Sequence, residues 1–271
     1  LRSNPSEAAR PDGLDYRDAI ARARPRLGRL ASHFEFLPTI SSTNDVALER
    51  SAGEDAEGFV VVAEQQTAGR GRRGHTWFSP AGSGLYVSVV LAPARARIDP
   101  PRATLLLTLT AGVAIAEGVA AATGLRADLK WPNDLQVARR KLAGILAEGA
   151  ANHIVLGYGI NIAAAAFPPE LQDRTTSLES ELGRGVDRVG VLVETLAALS
   201  ARYTDLLAGR FDAILDAWRA LSPSAAGRRV NWTTNAGPLS GVTAGIDDHG
   251  ALLVRVDDRI ERVVAGEIVW L

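Results

Sequence analysis

The chain has 271 residues, 46% of them hydrophobic and 23% charged, which is enough to bury a substantial core in one or two domains and ordinary for a soluble globular protein. Its 30 basic and 31 acidic residues leave a formal net charge of -1, so no chain-wide field favours nucleic acid or an anionic membrane. Zero cysteines exclude disulfides, thiolate metal sites and a cysteine nucleophile, and agree with a reducing compartment.

Residues 1–13 mix Pro, Ser, Glu and Arg with little apolar content, which predicts a poorly ordered N-terminal segment without the apolar core of a secretory signal. Leu14, Ile20, Leu27 and Leu30 then recur among arginines and predict one or two short helices. That is too little chain for an independent helix-turn-helix module. His33 to Leu37 alternates as a strand does, and Ser41-Ser42-Thr43-Asn44-Asp45 opens a helix ending near Gly53. Ser42 or Thr43 is a natural N-cap, and Asp45 in the first turn suits the helix dipole. These hydroxyl and amide groups either cap the helix or face a ligand beside its N-terminus.

Between the strands predicted at 59–63 and 85–91 runs Gln65-Gln66-Thr67-Ala68-Gly69-Arg70-Gly71-Arg72-Arg73-Gly74-His75-Thr76-Trp77. Its glycines admit unusual dihedrals and close ligand approach, and its arginines interleave fixed positive charge, a composition suited to holding an anion. It is neither a Walker loop nor a dinucleotide fingerprint, since Gly-x4-Gly-Lys-Ser/Thr is absent and no helical pattern follows Gly74. A solvated hairpin tip or nonspecific basic patch is the bland reading, and a binding loop or lid the functional one.

Asp99-Pro100-Pro101 starts a long helix to about Thr123, stopped by Gly124. Its uncharged stretch from Ala103 to Ala116 contains three threonines and a glycine and is closed by Glu117, which marks a buried helix on a sheet rather than a membrane span. From Leu129 to Ile162, three strand segments with short turns predict an antiparallel meander, with Lys130-Trp131-Pro132-Asn133-Asp134 at a turn and Lys141 at a strand head. Gly144, Gly157 and Gly159 are bulges or close strand crossings. Lys141 either solvates at an edge or presents its ammonium to a bound carboxylate or phosphate. Two amphipathic helices, 189–208 and 211–221, precede a linker at Ser222-Pro223-Ser224. Short strands broken at Gly237-Pro238, Gly241, Asp247 to Gly250 and Asp257-Asp258 follow, with Trp232 and Trp270 read as core.

Five blocks now stand in one order: Ser42-Thr43-Asn44; Gln66 to Gly74; Lys130 to Asp134; Lys141-Leu142-Ala143-Gly144-Ile145-Leu146; and Gly157-Tyr158-Gly159-Ile160-Asn161. Together they resemble the biotin-protein ligases from about Phe36 to the C-terminus. The resemblance implies an α+β fold: a mixed, mostly antiparallel sheet with packed helices, of the class II synthetase-like type, plus a C-terminal SH3-like β-barrel. It divides the chain into a catalytic biotin/ATP-binding domain at 14–223 and the SH3-like domain at 224–271. Residues 175–178 lie where the family covers the adenylate with a loop.

The implied activity adenylates biotin with ATP to biotinyl-AMP and transfers biotin to a lysine of a biotin carboxyl carrier protein or domain in the cytoplasm. A free carboxylate does not acylate an amine at neutral pH, and bringing two anions together requires placed cations. By position, Ser42, Thr43, Asn44, Gln66, Arg70, Gly71, Arg72, Lys141, Gly144 and Gly157 match biotin contacts. Arg70, Arg72, Arg73, Trp77, Lys130, Asn133, Asp134, Lys141 and Asn161 fall on the ATP side, with Lys141 and Arg72 catalytic. Asp134 either orients Lys141 or helps hold Mg2+. His75 stands where the family commonly has arginine. The loop is expected to be a mobile flap whose arginines gain partners only with phosphate present. A lipoate-protein ligase of the same fold is the alternative. A biotin-responsive repressor is disfavoured because the chain has no room for the family's N-terminal DNA-binding domain. Exposed sheet edges make a homodimer an open expectation.

Overall fold

In the computed structural model, which describes residues 13–53, 55–150, 152–164, 167–234, 237–264, 266 and 268–271, period-two alternation sorts one large sheet into two unlike faces. Its strands are β1 (Phe34–Ile40), β2 (Val60–Gln66), β3 (Gly84–Leu91), β4 (Asp128–Lys130), β5 (Asp134–Val137), β6 (Arg140–Ala150) and β7 (His153–Asn161). Their spatial order is β1-β2-β3-β7-β6-β5-β4. Only β1 and β2 run parallel, joined by a crossover that carries α2 (Thr43–Arg50); the remaining pairs are antiparallel. The mixed, mostly antiparallel sheet is therefore the one expected.

One face carries the helical layer: α1 (Gly13–Leu27), α3 (Pro100–Thr123), α6 (Arg188–Leu207) and α7 (Phe211–Leu221). Val60 and Val62 of β2, and Leu156, Tyr158 and Ile160 of β7, join this core, while Val61 and Val155 pack with Ala47 of α2 on the other face. Slipping β7 by one residue would turn Gly157 and Gly159 into the core and expose three large side chains. At about 1.5–3 kcal/mol per buried apolar side chain, the register is strongly specified. α3 starts with Pro100 and a side-chain cap from Asp99 and stops at Gly124, whose φ is +81°. By length and composition it could cross a bilayer, but 67% of its most apolar window is buried, packed on α6 and α7.

Several expectations are corrected. The expected disordered segment at 1–13 lies outside the described residues except for Gly13, which begins α1. The 129–162 region holds four strands, because Lys130 pairs with Asp134 across its own hairpin. Short helices α4 (Pro169–Gln172) and α5 (Leu178–Leu182) precede α6. The expected linker is tethered: Ser222 is buried, its hydroxyl donating to the Leu129 carbonyl at 2.8 Å.

The SH3-like unit comprises β8 (Ala226–Thr234), β9 (Gly237–Ile246), β10 (Leu252–Val256), β11 (Arg259–Val263) and β12 (Ile268–Trp270). It forms an antiparallel sheet ordered β11-β10-β9-β8-β12, and no pairing of β11 with β12 closes a barrel among the described residues. Gly241 lies inside β9 and is not a break. Trp131 Nε1 donates to the Gly250 carbonyl at 2.9 Å and Arg102 Nε to Asp248 O at 2.8 Å, so this unit is fastened to the large sheet beside β4 and α3.

Candidate functional site

On the α2 face the alternation presents mainly small or polar residues, Ser88 on β3, Gly157 and Gly159 on β7, and Gly144 and Glu148 on β6, with Leu146 the apolar one between the last two. The absence of side-chain bulk leaves a cavity of about 280 Å³. Regular pairing runs through all three glycines, so they are close approaches and not bulges. A Cβ at Gly157 would stand 2.2 Å from Asn44 Oδ1, and one at Gly159 would stand 2.3 Å from Trp77 Nε1. The glycine floor is what lets α2 and Trp77 lie directly on the sheet.

The α2 end is a dense polar network. Ser42 is the N-cap, its hydroxyl accepting from Asn44 N at 3.3 Å. Gln66 Oε1 accepts from Thr43 N at 2.8 Å and from the Thr43 hydroxyl at 3.1 Å, while Gln66 Nε2 donates to Ser79 Oγ at 2.9 Å. Ser88 donates to Asn44 Oδ1, and Asn44 Nδ2 donates to Glu148 Oε2. Ser42, Thr43 and Asn44 are all buried. They cap the helix and line the cavity at once, so the two readings of this segment are compatible.

Opposite them stands the cationic end. Lys141 Nζ lies 2.7 Å from Asp134 Oδ1 and 5.3 Å from the centre of the Trp77 ring, which rests against Gly144 and Gly159. Asp134 is the one carboxylate lining the cavity among the described residues, and it stands within ion-pair distance of Lys141. Lys130 lies 5.8 Å from the centre of the Trp270 ring. Burial pushes the Lys130 ammonium below its usual range; Asp134 opposes that shift, and the nearby cations Lys141, Arg174 and Arg139 add to it.

The Gly/Arg loop closes the side between these ends. Arg72 is half-buried and lines the cavity; its Nη1 donates to Asn133 Oδ1 at 3.3 Å, and Asn133 Nδ2 is spent on the Ile145 carbonyl at 2.8 Å. Burial lowers the Arg72 pKa, the charge of Arg73 lowers it further, and Asp134 opposes both. Arg72 has no carboxylate within ion-pair distance among the described residues, so a half-buried guanidinium here is suited to an incoming anion. Arg73 is exposed, with a left-handed φ of +56°, and Gly71, Arg73 and the exposed His75 complete the rim. Arg70 departs from expectation. It already pairs with Asp45 and, at 3.0 Å, with Glu148, so phosphate is not its first partner.

The structure thus brings Ser42, Thr43, Asn44, Gln66, Arg70, Arg72, Lys130, Asn133, Asp134, Lys141 and Trp77 to one cavity from four separated segments. Asn161 is not among its lining residues. It is buried and donates to the Thr176 carbonyl at 3.0 Å, bracing the segment whose Thr176 N–H donates to Lys141 O at 2.9 Å. Its amide thus braces the Lys141 strand end, and nothing in its position supports the expected phosphate contact. Trp270 was expected in the barrel core, yet it lines the cavity together with Ile268 and Gly266. Glu148 was missed, although its step of two and four residues from Leu146 and Gly144 places it on the same strand face.

A family model described as the biotin/lipoate A/B protein ligase family matches residues 36–162, and one described as the biotin protein ligase C-terminal domain matches 226–270. The bifunctional ligase/repressor BirA of Bacillus subtilis is 35% identical over 246 residues, covering 88% of this chain and 74% of the relative. The biotin–[acetyl-CoA-carboxylase] ligase of Mycobacterium tuberculosis is 36% identical over 245 residues, 85% of this chain and 86% of the relative. A solved structure of the biotin protein ligase from Aquifex aeolicus in complex with biotin and ATP superposes with a TM-score of 0.77 at 28% identity, covering 89% of this chain and 99% of that one.

Proposed function

This chain is a ligase of the biotin/lipoate A/B protein ligase family, and on that premise we propose that it adenylates biotin and transfers it to a lysine of a biotin carboxyl carrier protein or domain. The observation that carries the proposal is one cavity with a hydrogen-bonding end at Ser42, Thr43, Asn44 and Gln66 and a cationic end at Lys141 and Arg72. A ureido ring offers N–H donors and a carbonyl to the first end. A lipoate dithiolane has neither, which favours biotin over the alternative.

In the first step a biotin carboxylate oxygen attacks the α-phosphorus of ATP, and the bond to pyrophosphate breaks. Lys141, aimed by Asp134 and backed by the Trp77 ring, stands where it neutralises both approaching anions. Arg72, steadied by Asn133, stabilises the charge that grows on the phosphoryl oxygens. In the second step the carrier lysine amine attacks the acyl carbon and AMP leaves. Water must be kept out between the steps, and the loop that carries Arg70 and Arg72 forms the wall able to do so. Among the described residues no group of three His, Asp or Glu side chains could hold a metal. Asp134, the carboxylate beside Lys141 in the cavity, would be the residue that helps to hold the Mg2+ arriving with ATP.

The reading places the enzyme in the cytoplasm with a carrier as its protein substrate, and it includes a homodimer through open sheet edges such as β1 or β4. The repressor function of the Bacillus relative stays with that relative. Biotin-dependent exchange of labelled pyrophosphate into ATP, followed by a biotin mass increment on one lysine of an added carrier domain, tests the proposal. Exchange driven by lipoate and not by biotin would replace biotin as the substrate. Exchange driven by neither would refute the adenylation.

A further inference from the structure

A chain of hydrogen bonds links the floor of the cavity to its flap, and one side chain joins the halves. Ser88, fully buried on β3, donates to Asn44 Oδ1; Asn44, 3% exposed, donates through Nδ2 to Glu148 Oε2. The same carboxylate oxygen accepts from Arg70 Nη2 at 3.0 Å. Arg70 Nη1 reaches Asp45 Oδ1, and Asp45 Oδ2 accepts from Ser41 Oγ at 2.9 Å. We propose that Glu148 is a positioning residue, which fixes the orientation of the Asn44 amide at the ligand end and holds Arg70 of the Gly/Arg loop beside it; this rests on the biotin reading above.

The chemistry is specific to a carboxylate. An ionised carboxylate only accepts, so Asn44 must turn Nδ2 toward Glu148 and Oδ1 toward Ser88. The polarity that the buried amide offers a bound ring is therefore set from β6, although Glu148 itself is absent from the cavity lining. Exposed ion pairs alone are worth little. Here the carboxylate also satisfies the amide of a buried residue, and leaving such a donor unpaired is costly. Asn44 has little room to adjust, because its Oδ1 already lies against Gly157. Glu148→Gln keeps the shape but can present an NH2 to Asn44 and carries no charge for Arg70. The ligand end and the loop should therefore loosen together.

The test uses the full chain and biotin-dependent pyrophosphate exchange, with KM measured separately for biotin and for ATP. Glu148→Gln should raise KM for biotin by roughly 10- to 100-fold, the range for one hydrogen bond to a charged group, and move KM for ATP far less. It should also speed tryptic cleavage after Arg70 and Arg72. An unchanged KM for biotin, an equal rise in both KM values, or unchanged loop cleavage overturns the proposal. If Glu148→Gln does not fold, Glu148→Asp decides. That variant keeps the charge but withdraws it from Asn44, so a rise confined to KM for biotin supports the role and no rise overturns it. Absence of exchange in the parental chain would sink the biotin reading itself, whereas parental exchange with an indifferent Glu148→Gln sinks only this inference.

Discussion

Replacing Gly157 with alanine sets one methyl group into the cavity floor where the structure leaves no space for it. The added Cβ would lie 2.2 Å from Asn44 Oδ1, whereas ordinary contact begins at 3.4 Å, so Asn44 must retreat by more than an ångström. The methyl faces a buried amide at the start of α2 and not the far end of a flexible side chain. That retreat breaks the bonds from Ser88 and to Glu148, and each hydrogen bond contributes about 0.5–1.5 kcal/mol, more where a charge is involved. The expected loss of biotin binding is about 2–4 kcal/mol, or roughly 30- to 1000-fold in Kd. Overpacking also lowers stability by about 1–3 kcal/mol, because the strain falls on packed elements. Calorimetric titration with biotin, paired with a thermal melt, reads both quantities. A Kd within twofold of the parental value would refute the claim that Gly157 is glycine to admit Asn44.

Arg72→Gly should still form biotinyl-AMP but release it, so that unrelated lysines in solution become biotinylated; retention of the adenylate at the parental level counts against Arg72 as a seal. Trp270→Ala should raise KM for ATP with little change for biotin, because Trp270 flanks Lys130 at the cationic end; an unchanged KM for ATP returns Trp270 to a purely structural role. Lys130 offers a pH test. Its folded pKa is held below 10.5 chiefly by burial, so between the two values the unfolded chain binds more protons and stability rises with pH across that window. Lys130→Gln should therefore stabilise the ligand-free chain at neutral pH, with the advantage shrinking as pH approaches 10.5, as urea midpoints would show. An advantage independent of pH would contradict the burial of that charge.

The strands, the long helix and the five blocks were legible because each leaves a local trace: an unbroken apolar, β-branched run in Val60 to Ala63, a Pro start and Gly stop around α3, glycines among arginines. The hairpin at 128–137 was legible as a turn at Lys130 to Asp134 but not as two strands, because these have only three and four residues, too short for periodicity to register. Asn161 shows a second limit. Its place in the sequence suggested a ligand contact, but its amide is consumed by a backbone carbonyl 15 residues away, and spacing carries no information on where an amide points. Trp270 shows a third. Whether a tryptophan of the small sheet faces its own core or a neighbouring cavity depends on how two units dock, through contacts such as Trp131 to Gly250. Arg70 was assigned to phosphate because its carboxylate partners lie 25 and 78 residues off in the chain.

If cations from separated segments converge to bring two anions into bonding distance, single-turnover formation of biotinyl-AMP by Lys141→Ala should be slowed by about 2–4 kcal/mol, the size of removing one preorganised charge-stabilising donor, or roughly 30- to 1000-fold. Adenylate formed by Lys141→Ala at the parental rate would contradict it.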